Sequence, residues 1–308
     1  MGSINVKTTN YTEPLKTLQA HSAGINCFAL SPDQTILASG SDDCTIRLWT
    51  QCDAQQDYVR CYQILAAHTN YVTVLMFFRD RLLSGSADRD IRQWDVRSGQ
   101  CLLVLSGHDD VINSIVCTRD HVFSASNDKT AICWDFNTGM QVTQFKGHTH
   151  NVNAVTCTEQ NEEAVNERNG EAHSAGDMAA LIKQMGSREC VYTGSADKTA
   201  KAWSTRSGKC LLTFRGHSGP ITQMRIDKHG HILYTISADG TARSWYAESA
   251  KPQFVFEGHK SDVICLETTS QYVISTGNDG LLVVWPKWVD QPVNEEEQAA
   301  GQTQPNEL

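Results

Sequence analysis

The sequence predicts an all-β protein built from six copies of one unit, and three observations lead to it. Six tryptophans (Trp49, Trp94, Trp134, Trp203, Trp245 and Trp285) each lie six residues after an Asp and ten after a Ser or Thr. A His opens every unit (His21, His68, His108, His148, His217 and His259), four times as Gly-His. Between His and Trp, hydrophobic runs, small-residue patches and turns alternate in the manner of strands and hairpins. Self-similarity at about 40 residues is the signature of radial or solenoidal repeats, in which each unit buries its apolar face on its neighbours.

The elements of a unit follow in order. From the His a hydrophobic strand runs to a small-residue patch such as Ser84-Gly85-Ser86. A turn then carries Asp43, Asp88, Asp128, Asp197, Asp239 or Asp279, and the next strand ends in the Trp. An outer strand such as Cys101-Leu-Leu-Val-Leu or Cys210-Leu-Leu-Thr-Phe leads to the next His. Residues 14–20, Pro-Leu-Lys-Thr-Leu-Gln-Ala, resemble these outer strands, so the repeats begin with a fourth strand and stop after a third. The His-to-Asp spacing is 20 or 22 residues in five units and 49 in the fourth, which places an insertion at 159–189 between that unit's first two strands. Loops so long are functional or disordered. Within it, residues 177–185 read either as passive loop or as a short amphipathic helix that recruits a partner and is marginal alone.

Composition bounds the function. At 308 residues with 40% apolar content the unbroken repeat favours one domain over 14–289, with a flexible stretch at 1–13 and a disordered acidic tail at 290–308. No stretch approaches the roughly 18 apolar residues that span a bilayer. The polar start lacks a secretory apolar run, and Val6 stands where a myristoylation motif at Gly2 wants Ser or Thr. A protein off the membrane is expected. Eleven cysteines include no C-x-x-C pair, and Cys27, Cys117, Cys157 and Cys265 fall in strands as small hydrophobes. Reduced thiols in the cytoplasm, or else the nucleus, fit this usage.

The net charge of −9 is concentrated at two places. The chain after Lys287 carries five acids and no base, and residues 158–190 carry seven acids against three bases. The repeats are therefore near neutral and lack the basic stripe that nucleic acid demands. The pairs His148/His150 and His229/His231 have no third ligand nearby in sequence, so they read as solvated loops and no metal is expected. Nothing in the pattern calls for a cofactor or a small-molecule substrate.

Taken together, Gly-His, Ser-Gly-Ser-x-Asp-x-Thr and Ile-Arg-x-Trp-Asp resemble the WD-repeat family of β-propellers across residues 14–285. The resemblance implies six blades by count, with seven, commoner in the family, as the rival. It also implies that the N-terminal strand completes the last blade and removes an exposed edge. In each blade it implies a structural tetrad of Trp, hydroxyl, His and Asp: Trp49, Ser39, His21, Asp43; Trp94, Ser84, His68, Asp88; Trp134, Ser124, His108, Asp128; Trp203, Thr193, His148, Asp197; Trp245, Thr235, His217, Asp239; and Trp285, Ser275, His259, Asp279. These four groups can satisfy one another's hydrogen bonds and so be buried. Recurring Ser, His and Asp invite a hydrolytic triad, but six copies in one register argue against a single active site. No catalytic residue is expected.

The family's usual contact positions lie three and five residues after each His and just before each tetrad Asp. Carried over, they are Gly24, Asn26 and Asp42; Tyr71, Thr73 and Ala87; Val111, Asn113 and Asn127; Asn151, Asn153 and Ala196; Pro220, Thr222 and Ala238; Asp262, Ile264 and Asn278. No Lys or Arg is among them, so the rim suits neutral to basic peptides or proteins rather than phosphopeptides. Tyr71 reads either as an anchor or as a cover for the central channel. Residues 82–97 resemble the box by which some WD-repeat proteins dock onto the adaptor of a cullin ubiquitin ligase, with Asp88, Trp94, Asp95 and Arg97 the docking candidates. The alternative is that Asp95 and Arg97 merely brace a strand end. The expected protein is a noncatalytic interaction scaffold, monomeric on its own.

Overall fold

The Asp at the tip of each unit's central hairpin dictates the backbone there. The computed structural model describes residues 17–52, 58–158 and 190–287. In it the Asp carboxylate accepts the N–H two residues on, as from Thr45 to Asp43 Oδ1 at 2.9 Å and from Thr199 to Asp197 Oδ1 at 3.0 Å. The residue between is left-handed in all six units, with φ of 66° at Cys44, 75° at Arg89, 71° at Lys129 and Lys198, 81° at Gly240 and 77° at Gly280. Glycine adopts that geometry freely, whereas the other four residues each pay roughly 1 kcal/mol for it.

Six antiparallel sheets follow along the chain, at residues 25–65, 72–105, 112–146, 152–214, 221–257 and 263–286. Strands pair in sequence order within each, and no helix occurs among the described residues. Sheets 1 to 5 have four strands; sheet 6 has Val263–Thr268, Tyr272–Gly277 and Leu282–Pro286. Of the segment expected to complete it, residues 14–16 lie outside the described residues and 17–20 carry no strand. The stretch 1–13, the insertion 159–189 with its candidate helix, and the tail 290–308 also lie outside them.

Two irregularities recur. The register shifts beside the tetrad Trp in sheets 1 to 5, for example between Ala202 and Trp203. In the first strand it shifts between the fourth and sixth residues after the tetrad His: Ile25/Cys27, Val72/Val74, Val152/Ala154, Ile221/Gln223 and Val263/Cys265. The skipped residue has no cross-strand partner, and a bulge of this kind re-aims its side chain.

The chain divides into two compact units, residues 1–112 and 113–308. In the first, Ala38, Ile46, Leu48 and Leu65 of sheet 1 share one core with Val72 and Leu75 of sheet 2. The second repeats this joint. Val152 and Val155 of sheet 4 meet Phe123, Ala131, Cys133 and Phe145 of sheet 3. Ile221 and Met224 of sheet 5 meet Tyr192, Ala200, Ala202 and Phe214 of sheet 4, and Val263 and Leu266 of sheet 6 meet Tyr234, Ile236, Ala242 and Phe256 of sheet 5. Each large side chain buried there contributes about 1.5–3 kcal/mol.

Candidate functional site

The polar residues most like an active site are consumed by the fold. In the fourth sheet Trp203 Nε1 donates to Thr193 Oγ1 at 2.7 Å, His148 Nε2 lies 2.8 Å from the same oxygen, and His148 Nδ1 lies 2.8 Å from Asp197 Oδ2. The chain recurs at 2.7–2.9 Å around His21, His68 and His217 and at 2.9–3.1 Å around His259. In the third sheet Trp134 Nε1 donates to Ser124 Oγ at 2.9 Å, and His108 is buried. Gly147 and Gly216, at φ 152° and 155°, precede His148 and His217; a Cβ on them would stand 3.2 Å from Trp203 Cη2 and 3.1 Å from Trp245 Cη2. The Gly-His signature therefore makes room for the indole.

Electrostatics holds the tetrad carboxyl ionised in five of the chains. Burial alone would raise the Asp88 carboxyl, but hydrogen bonds from His68 and the Thr69 backbone N–H outweigh it and hold the group at about 2. Burial is likewise outweighed at Asp239, by Thr241 and His217, again to about 2, and Asp43 and Asp197 lie well below the usual range. At Asp279 the Lys260 backbone N–H exerts the largest pull, and its value is also about 2. Burial pushes the His217 imidazole down despite its Asp partner. There the ionised Asp239 beside a neutral imidazole keeps the proton on His217 Nδ1, so Nε2 accepts from the Thr235 hydroxyl while that oxygen accepts from the Trp245 indole. The hydroxyl-bearing residues of sheets 2 to 6 are fully buried, which leaves no approach for a substrate.

The rim positions divide into two groups. Five of the six residues that stand five places after the tetrad His reach the backbone carbonyl of the next sheet's first strand. In the first unit Asn26 Nδ2 donates to Val72 O at 3.1 Å, and Thr73 Oγ1 donates to Ile112 O. In the second, Asn113 donates to Val152 O at 2.9 Å, Asn153 to Ile221 O at 2.8 Å and Thr222 to Val263 O at 2.7 Å. The bulge aims four of these side chains, at Asn26, Thr73, Asn153 and Thr222. Sequence reasoning placed these residues on the rim and missed the belt, although a polar residue at that place in five units was its visible signal. Ile264, in the sixth, has no donor and is 52% exposed.

The second group faces solvent. Asp42 and Tyr71 of the first unit are exposed, as are Asn151, Pro220, Asp262 and Asn278 of the second, while Thr73, Val111, Asn113, Asn127, Asn153 and Thr222 are half-buried. Asn26, itself exposed, also gives Asp42 Oδ1 a hydrogen bond at 2.7 Å, and Asn113 gives one to Asn127 Oδ1 at 2.8 Å. Both amide N–H groups of Asn26 and Asn113 are thereby committed, so what these side chains turn to a ligand is a carbonyl oxygen.

In the segment 82–97, Trp94 is buried and Asp88 belongs to its tetrad, while Asp95 accepts the backbone N–H groups of Arg97 at 2.8 Å and Ser98 at 3.1 Å. Asp135 makes the same turn with Asn137 and Thr138 in sheet 3. The Arg97 side chain is exposed. Burial pushes the Cys27 thiol up to about 12 and that of Cys117 further, so these strand thiols resist ionisation. His229 and His231 stack at 6.2 Å, and among the described residues no three His, Cys, Asp or Glu are grouped to hold a metal. No helix among them is long and apolar enough to cross a membrane.

Antiparallel sheets of one design, five of them pinned by a chain of hydrogen bonds from indole to carboxylate, define a repeat protein of the β-propeller class. The family model for the WD domain, G-beta repeat, matches residues 12–50, 59–95, 99–135, 208–246 and 250–286, and the chain belongs to that family. The fourth unit, split by the insertion, falls between those matches. Proteins of this family generally act as interaction scaffolds and are generally noncatalytic. Mitochondrial division protein 1 of Saccharomyces cerevisiae is 39% identical over 99 residues, covering 28% of this chain and 14% of the relative. Its counterpart in Vanderwaltozyma polyspora is 21% identical over 247 residues, covering 75% of this chain and 27% of the relative. The CCR4-associated factor 4 homolog of Vanderwaltozyma polyspora is 26% identical over 242 residues, covering 73% and 29%. The chain thus spans less than a third of the length of these relatives. Among solved structures, the computationally designed Ika8 protein matches with a TM-score of 0.68 at 27% identity, over 87% of this chain and 73% of that one.

Proposed function

We propose that this chain is a noncatalytic scaffold of the cytoplasm, with the nucleus as second compartment, whose rim loops hold neutral to basic segments of partner proteins. One observation carries the reading: the charged rim side chains are the carboxylates of Asp42 and Asp262, with no Lys or Arg among the rim positions, and once the inter-sheet belt is satisfied Asn26 and Asn113 add amide oxygens as acceptors. An extended peptide brings backbone N–H groups, and a Lys or Arg side chain brings the matching charge. Tyr71, 38% exposed, adds rigid contact area at low entropic cost. A relative named as a CCR4-associated factor supports a role of that kind. Proximity labelling tests the reading: Tyr71→Ala with Asp42→Ala is expected to lose most labelled partners at unchanged circular dichroism, and an unchanged partner set refutes it. The insertion in the fourth unit and the run Asp262-Val-Ile-Cys-Leu-Glu267 resemble WD repeat-containing protein 86 of animals, a finer kinship that belongs to the same proposal.

A second reading, substrate receptor of a cullin-type ubiquitin ligase, is favoured by the exposure of Arg97 beside the Asp95 turn. It requires that Arg97→Asp abolish co-purification with the cullin adaptor without changing the melting curve. Failure of the unaltered protein to bring down the adaptor removes it.

A further inference from the structure

Just outside the rim positions, bases gather at one place on the second unit. Sheet 4 packs against sheet 3 and against sheet 5, all within residues 113–308. At the hairpin end of these sheets the chain crosses between them twice. Lys146-Gly147-His148 leads from the outer strand of sheet 3 to the tetrad of sheet 4, with Gly147 against Trp203. Arg215-Gly216-His217 leads from sheet 4 to the tetrad of sheet 5, with Gly216 against Trp245 and beside Arg243 Nη1. Lys198, at the tip of the sheet 4 hairpin, neighbours both crossings. Asp197 beside it binds His148 and the Thr149 N–H, and Ala200 pairs with Phe214 next to Arg215. Lys201 donates to Thr213 Oγ1 at 3.2 Å on the same strand pair.

Five cations thus lie over two adjoining joints. Lys146, Lys198 and Arg215 are exposed, and Lys201 and Arg243 are half-buried. None forms an ion pair among the described residues, and the buried Arg243 Nε–H has no hydrogen-bond partner among them. The carboxylates of Asp197 and Asp239 offset part of the charge, but they are 8% and 6% exposed and committed to their tetrads. Glu257, opposite Thr241 on sheet 5, reaches neither Arg215 nor Arg243. We propose that this surface docks an acidic segment of a partner protein, a run of Asp and Glu side chains laid across the two crossings. Spread over separate strands, three of the five being Lys, the cations suit successive carboxylates better than one phosphate, which calls for converging bidentate Arg. A nucleic-acid strand calls for aromatic faces under its bases, and the indoles here, Trp203 and Trp245, are 1% exposed. The acidic stretches of this chain adjoin the other end of the sheets, a strand's length of about 17–20 Å away. The insertion follows Thr158 and precedes Cys190, where Cys157 pairs with Val191, and the tail follows Lys287, where Tyr272 pairs with Pro286. An occupant from another protein meets no such detour.

Fluorescence anisotropy of the full chain with a labelled peptide of alternating Glu and Gly tests the proposal. Salt of about 100 mM screens charges beyond roughly 10 Å, so the net charge of −9 does not mask the surface. The Glu peptide is expected to bind and its Gln counterpart not. Lys198→Glu with Arg215→Glu is expected to weaken binding about tenfold or more at unchanged circular dichroism, both positions being exposed. Lys198→Gln with Arg215→Gln is the second pair if the fold is disturbed. Lys209→Glu with Lys251→Glu makes the same charge change on exposed turns at the other end of sheets 4 and 5, and is expected to leave the affinity within about twofold. Tyr71→Ala with Asp42→Ala is likewise expected to leave it, which separates this surface from the rim site proposed above. No binding of the Glu peptide, or equal weakening by the Lys209 and Lys251 pair, overturns the proposal. Release of the peptide by inorganic phosphate at constant ionic strength assigns a phosphate site, tighter binding of a single-stranded oligonucleotide assigns a nucleic-acid surface, and binding that appears only after removal of residues 290–308 assigns the tail. Each of these overturns it as well.

Discussion

Replacing Thr193 by Val keeps the shape of a fully buried β-branched side chain and strips away the hydroxyl at the centre of the fourth tetrad. That oxygen receives the Trp203 Nε1 hydrogen bond at 2.7 Å and serves His148 Nε2 at 2.8 Å, with Trp203 1% and His148 8% exposed. Removing it leaves one donor and one acceptor without partners where water does not reach. Each costs about 1–3 kcal/mol, so the expected loss is roughly 2–6 kcal/mol with no cavity created. Thr193→Ser is the control: it keeps both hydrogen bonds and removes one methyl group, worth about 1 kcal/mol. Urea unfolding at neutral pH, followed by tryptophan fluorescence with the slope held common, reads both losses. If Val costs no more than Ser, packing rather than hydrogen bonding holds the tetrad and the structural assignment of these histidines fails.

Acid should weaken the fold in two stages. His217 is depressed below its ordinary value of 6.5 in the folded protein, so its contribution is complete above 6.5 and falls as pH drops below it. Asp88 and Asp239 are lowered from 3.8 to about 2, so theirs is retained above 3.8 and lost as pH falls toward 2. Melting temperature against pH is expected to be flat from neutrality to about 8, short of the ordinary thiol value above which the raised Cys27 begins to weaken the fold, with breaks in those two acid windows; a single break near 5 contradicts the assignment. Lys198→Gly relieves a left-handed residue at φ 71° and is expected to leave stability unchanged or raise it by up to about 1 kcal/mol in chemical unfolding, whereas Gly240→Lys at φ 81° should lower it comparably. Deleting residues 160–187 should leave the melting temperature nearly unchanged, because Cys157 and Val191 pair directly and already hold the ends of the insertion together.

The tetrads were legible because each lies within one unit and its spacing survives in the sequence. Even across the insertion, His148 and Asp197 could be matched by the unit's register. The belt was not legible in the same way. Asn153 bonds a carbonyl 68 residues on, and Asn26 one 46 residues on, and a backbone acceptor leaves no mark on residue type. A one-residue bulge aims Asn26, Thr73, Asn153 and Thr222 at those carbonyls, and bulges are poorly encoded in composition.

The central claim is that partners are held at the rim loops, and a photo-crosslinking amino acid in place of Tyr71 tests it most directly. Irradiation in cells, with the same group placed at Thr213 on an outer strand as reference, should trap proteins from the Tyr71 position, and the crosslinked peptides should carry Lys or Arg near the site of attachment. Equal capture from both positions, or crosslinked peptides dominated by acidic residues, would contradict the account.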